Sequence, residues 1–174
     1  MTPEELAELT DKERALRDKL IADSDAFGNA VVEVPASDER SGPYTFTVGA
    51  WRRFGVPEAV VIGLPPGVGA DLVNLYVKRA AAGERFVTGI RYKDFFEGRP
   101  VVFERVFKGR YPEFLGSAFL MYPKGDFPAV QIIVPTEDVI WPWHPHAPEG
   151  FARWQPILTD TLKPESWTPG VNGP

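Results

Sequence analysis

The chain contains no cysteine and only two histidines among its 174 residues. Without thiols there is no disulfide framework, no thiolate zinc site and no cysteine nucleophile. Serines are few (Ser24, Ser37, Ser41, Ser117, Ser166), and none stands in a Gly-x-Ser-x-Gly elbow. No apolar run approaches the roughly 18–20 residues of a membrane-spanning helix. The first residues carry Glu4, Glu5 and Glu8, where a secretory signal would carry lysine and then an apolar stretch. The expected location is therefore cytoplasmic, with no membrane partner. Basic residues are also outnumbered: the net charge is −5 and the isoelectric point about 5.1. That balance argues against nucleic acid as a partner.

What is present is the composition of a folded globule, with 44% hydrophobic and 25% charged residues. The length suits one domain over residues 1–174, able to bury roughly 70% of its unfolded surface. No internal repeat or linker divides it. Thr2, Pro3, Glu4 and Glu5 open an expected N-terminal helix over residues 1–24, with Leu6, Leu9, Leu16 and Leu20 on one stripe and Glu13 interrupting it. This helix packs on its own domain or pairs two copies into a homodimer.

Strand-like runs follow at residues 30–34 and 44–48. The continuous apolar run 59–64 reads as a buried central strand. Residues 68–82 have helical spacing and end at Gly83, so a helix should cover that strand. Further strands are expected at 86–92, 100–107, 117–122 and 128–134, and a loose tail from about Pro164, over residues 164–174. The fold class is α+β: a mostly antiparallel sheet with one central covering helix and an N-terminal helix. A strand–helix–strand unit in the middle can add one parallel pairing.

Several segments together resemble a known family. They are Tyr44-Thr45-Phe46-Thr47-Val48-Gly49, Pro57-Glu58, Ile62-Gly63-Leu64-Pro65, Ala129-Val130-Gln131-Ile132-Ile133, Trp141-Pro142-Trp143 and Gln155-Pro156-Ile157-Leu158. In this order they are similar to the bacterial domain of unknown function 4262 family, over roughly residues 44–158. The resemblance implies no activity. It also shows departures: the family pattern has a His before the Pro-Glu pair where this chain has Val56, and a Leu where this chain has Ala50.

Chemistry-bearing residues gather in a few places. Both histidines stand in Trp141-Pro142-Trp143-His144-Pro145-His146, where i and i+2 side chains of an extended segment point the same way. His144 and His146 are thus metal-compatible, with Glu137, Asp138 or Glu149 as a third ligand, although a proline-rich surface loop is the simpler reading. The two tryptophans suit either a pocket wall or plain core packing. Residues 63–69 follow a strand and open a helix, as an anion site would, but match neither a P-loop nor a dinucleotide fingerprint. Arg52 and Arg53, near Glu58, suit an acidic ligand or an internal ion pair. Gln131, inside an apolar strand, and Gln155 must find polar partners, whether ligand or backbone. Aromatics and basic residues interleave over residues 91–110, a pattern better explained by a half-buried sheet than by a nucleic-acid platform.

The functional expectation is a non-catalytic binding module for a protein partner or a small polar or acidic ligand. Arg52, Glu58, Gln131, Trp143, His144 and Gln155 would line one shared cleft. The alternative is a small enzyme, or a metal- or cofactor-using protein, centred on Trp143, His144 and His146. No motif implies a particular cofactor.

Overall fold

The N-terminal segment carries two helix-start signals. The computed structural model, which describes residues 1–174, accordingly folds it as two helices, α1 (Pro3–Glu8) and α2 (Asp11–Phe27). Each begins with a capping box, Thr2 with Glu5 and Thr10 with Glu13. The threonine hydroxyl accepts the amide of the third helical residue, whose carboxylate accepts the amide of the threonine. Glu13 therefore starts a second helix rather than interrupting the first, and the single helix expected over residues 1–24 is broken at Leu9 and Thr10. Arg14 closes the joint by donating to the carbonyls of Leu6 and Ala7. Within α2 only Leu20 and Ser24 are buried.

Strands β1 (Ala30–Val34) and β2 (Tyr44–Val48) lead through the short helix α3 (Ala50–Phe54) to β3 (Glu58–Ile62). Helix α4 (Val68–Ala81) follows, then the hairpin β4 (Tyr92–Phe96) and β5 (Arg99–Arg105), α5 (Tyr111–Phe114), β6 (Ala129–Ile133) and α6 (Phe151–Trp154). The sheet order is β1-β2-β3-β6-β5-β4. Its only parallel pair is β3 with β6, at the centre. Every residue of β3 is buried, as a strand covered on both faces requires. The fold is thus α+β as expected, and the parallel pairing is bridged by α4 together with the β4–β5 hairpin. No helix is long and apolar enough to cross a membrane.

The sheet separates two apolar layers. On one face, Leu72, Val73, Tyr76 and Val77 of α4 pack on Ala59, Val61 and Ile132. Gly69 permits this approach, because a Cβ there would lie 2.7 Å from the Thr45 hydroxyl oxygen. On the other face, Phe46, Val48, Val60 and Ile62 meet Leu20, Tyr111, Leu115 and Phe127.

Two expected strands are absent, and both were rich in aromatic residues. Residues 86–91 form an irregular segment whose Phe86 ring packs among Tyr76, Tyr92, Phe95 and Phe103. The hairpin partner of β5 begins only at Tyr92. Around residues 117–122 the chain forms the 3-10 turn Gly116–Leu120, with local bonds from the Ala118 amide to Leu115 and from the Met121 amide to Ala118.

The closing segment is not loose. Trp167 is 5% exposed and packs with Trp141 and Ile157 on Val102 and Ile133. The buried Glu104 carboxylate of β5 accepts the amides of Glu165 and Ser166 and the Ser166 hydroxyl. A Trp167→Ala variant should lose about 3–5 kcal/mol of stability in urea unfolding. It should also make residues 160–174 the first site of limited proteolysis.

Candidate functional site

Glu58 opens β3 with a side chain that is fully buried. A buried carboxylate must be satisfied in place. One oxygen accepts from the Thr47 hydroxyl at 2.8 Å and the Ala50 amide at 3.0 Å. The other accepts from the Gly49 amide at 2.9 Å, the Trp51 amide at 3.2 Å and the Tyr122 hydroxyl at 2.6 Å. Burial pushes its pKa above the ordinary carboxylate value, while the bonds from Tyr122, Thr47 and the Trp51 and Gly49 amides pull the other way. Burial also raises the Tyr122 hydroxyl, helped by the Glu58 charge.

The carboxylate thereby caps α3, which has no side-chain cap of its own. Gly49 makes the turn possible: its φ is 110°, and a Cβ there would run into the Ser24 side chain. Glu58 is therefore a structural anchor with its lone pairs engaged by its own chain. Tyr122 and Thr47, which complete it, carry no mark in the sequence that distinguishes them from other strand or turn residues.

The other expected site residues are placed apart. Arg52 and Arg53 both approach Asp25, at 2.9 and 4.0 Å, rather than Glu58. Gln131 and Gln155 take the backbone alternative. The Gln131 amide donates to the Pro156 carbonyl and accepts the Leu158 amide. Gln155 accepts the Val134 amide and donates to the Val134 carbonyl. Both glutamines fasten the closing segment to β6.

Trp143 stacks on Trp141 at 5.6 Å and meets Trp167 edge-on at 5.5 Å. Its indole donates to the Pro174 carbonyl. Trp143 lines one concavity with His144 and Arg91 and another with Gln155 and Ile157, and neither reaches Arg52, Glu58 or Gln131. Of the six residues, Trp143 thus stands beside His144 and Gln155, while Arg52 and Glu58 lie at the turn after β2. The rings of His144 and His146 lie 5.4 Å apart, and His144 Nδ1 accepts the His146 amide. No group of three His, Asp or Glu side chains is placed to hold a metal ion. At the start of α4, the amide of Gly67 donates to the chain's own Glu33 carboxylate.

A concavity of about 800 Å³ lies elsewhere, where β3 and β6 begin and β5 ends. Phe54, Val56 and Pro57 line it, and Phe86, Val106 and Val130 supply further apolar surface. Three cations line it: Arg85 after α4, Arg105 at the end of β5, and Lys108 in the next turn. Glu84 is the only acidic residue in the lining, and it is already paired to Arg79 at 2.8 Å. Lys108 Nζ donates to the carbonyls of Gly125 and Phe127. Arg85 and Arg105 make no salt bridge. Sequence reading missed these three because they come from distant segments. A partial signal was present: Arg105 and Lys108 fall in the interleaved stretch 91–110, and Val56 is the position that departs from the family pattern.

The profile of the family described as Domain of unknown function (DUF4262) matches residues 23–148. The match begins earlier than the resemblance suggested, taking in the end of α2 and all of β1, and it stops before Gln155-Pro156-Ile157-Leu158. All three cleft cations lie within it. No curated protein and no solved structure matches the chain.

Replacing Glu58 by Gln turns one acceptor into a donor that faces other donors. This variant should lose about 2–4 kcal/mol of stability, and Tyr122→Phe about 1–2. Hydrogen exchange at the Gly49, Ala50 and Trp51 amides is the check. Faster exchange at these three in Glu58→Gln is expected, and unchanged exchange there would remove the anchor role.

Proposed function

The chain belongs to the family described as domain of unknown function (DUF4262), and we propose that it is a non-catalytic binding module that takes a small acidic ligand in the cleft at the start of β3 and β6. One observation carries this reading. In a chain of net charge −5, three cations line one concavity whose single carboxylate is already neutralised by Arg79. An anion entering there meets attraction without a competing acidic side chain. The surrounding apolar wall lowers the local dielectric, so each charge contact is stronger than on an open surface. The volume is that of a small-molecule site.

Binding rather than catalysis is favoured because the buried carboxylates and glutamines, Glu58, Glu104, Gln131 and Gln155, are engaged with the chain's own backbone and hydroxyls. They hold the scaffold and leave the exposed cations to meet the ligand.

The test is a titration with a panel of small carboxylates and phosphates, followed by backbone amide NMR. Saturable shifts at Val56, Val106 and Val130 are expected. The double variant Arg85→Ala/Arg105→Ala should weaken them by about tenfold or more. Shifts confined to Trp143 and His144 would move the site to the aromatic segment and end this reading.

A further inference from the structure

We infer that the ligand of this cleft is an amphipathic monocarboxylate, a molecule with an alkyl or aryl body and one carboxylate group. The inference rests on the cleft reading above and narrows it to a chemical class.

The first argument is the electrostatic balance. Helix α4 ends at Ala81, and Ala80 and Gly83 line the cleft, so the helix presents its C-terminal, negative end there. Glu84 stands beside it with its charge already matched by Arg79. Of the three cations, Lys108 has two of its three donors bound to the Gly125 and Phe127 carbonyls. The positive excess is therefore small, and it suits a single negative charge better than the two or more of a phosphate ester. A tetrahedral phosphate is also best held by several converging donors, often at a helix N-terminus, and the end of α4 that lies here is the opposite one.

The second argument is the shape of the donors. Arg85 and Arg105 make no ion pair within the chain, and a guanidinium presents a planar fork matched to a carboxylate. The third is the wall. Phe54 and Val87 are exposed large apolar residues lining the cleft, and Val56 and Pro57 are partly exposed beside Phe54. Exposed apolar surface gathered at a concave site is there to be covered. A ligand body of alkyl or aryl carbon covers it, while its carboxylate reaches the cations.

The experiment uses the full chain and four probes: octanoate, acetate, octanamide and inorganic phosphate. Affinities come from calorimetry, and location comes from the amide shifts of Val56, Val106 and Val130. Octanoate should bind saturably at those residues. Acetate should be weaker by at least tenfold, since each buried methylene contributes about three- to fourfold. Octanamide should be weaker by about tenfold or more, because it lacks the charge. Arg105→Ala should weaken octanoate at least fivefold, while the remote Lys12→Ala should leave it unchanged. If phosphate binds at these amides and octanoate does not, this inference falls while the acidic-ligand reading stands. Equal binding of octanoate and octanamide, or no binding by any probe, overturns both.

Discussion

Glu58 stands where three parts of the chain must agree: the end of β2, the short helix α3 and the first residue of the central strand β3. Its carboxylate takes two bonds from side chains and three from backbone amides, so the turn after β2 is shaped around it. A buried charge of this kind is tolerated only when every lone pair finds a donor. Tyr122 contributes the shortest of those bonds from a segment far along the chain, tying residues 116–122 to the start of the sheet. The same hydroxyl also accepts the Arg52 amide. Removing Glu58 would therefore release a helix, a turn and a distant loop together.

A second set of polar anchors does similar work further along the same face of the sheet. Glu104 of β5 and Gln131 of β6 are cross-strand partners, and both reach outward to the closing segment. Gln155, within that segment, reaches back to β6. Each bond satisfies a backbone group of the closing segment or of the residue after β6. The apolar contacts of Trp141, Ile157 and Trp167 then lie over Val102 and Ile133. Polar side chains set the register of the wrap, and apolar burial supplies most of its adhesion.

The cleft follows from the first of these arrangements. Glu58 positions α3 and the descending turn through Gly55, and that turn places Phe54, Val56 and Pro57 along the cleft. Further lining comes from the ends of β5 and β6 and the segment after α4. Because β3 and β6 run parallel, their first residues lie at the same end of the sheet, where the cleft opens. The site thus depends on strand order, while its charge comes from connecting segments, where binding groups commonly sit.

Local pattern was sufficient for much of the fold. The apolar run in β3, the period of α4 and the alternation in β2 each report burial that sequence neighbours impose, so these elements could be read directly. Pattern failed where composition was ambiguous. Phe86 and its neighbours look like a strand because aromatic residues suit sheets, yet the ring is held by four others from α4 and the β4–β5 hairpin. Residues 117–120 likewise form hydrogen bonds to nearby carbonyls rather than to another strand. The need of Gln131 and Gln155 for partners was legible, since a buried amide cannot be left unpaired. Which partner each would take was not, because both choices are equivalent in sequence. By itself the sequence determined the fold class, the central strand and its covering helix, since these rest on local periodicity and burial. Only the tertiary structure decided that Glu58 is an anchor rather than a ligand group, and that Arg85, Arg105 and Lys108 share one cleft, because those facts arise from contacts between residues far apart in the chain.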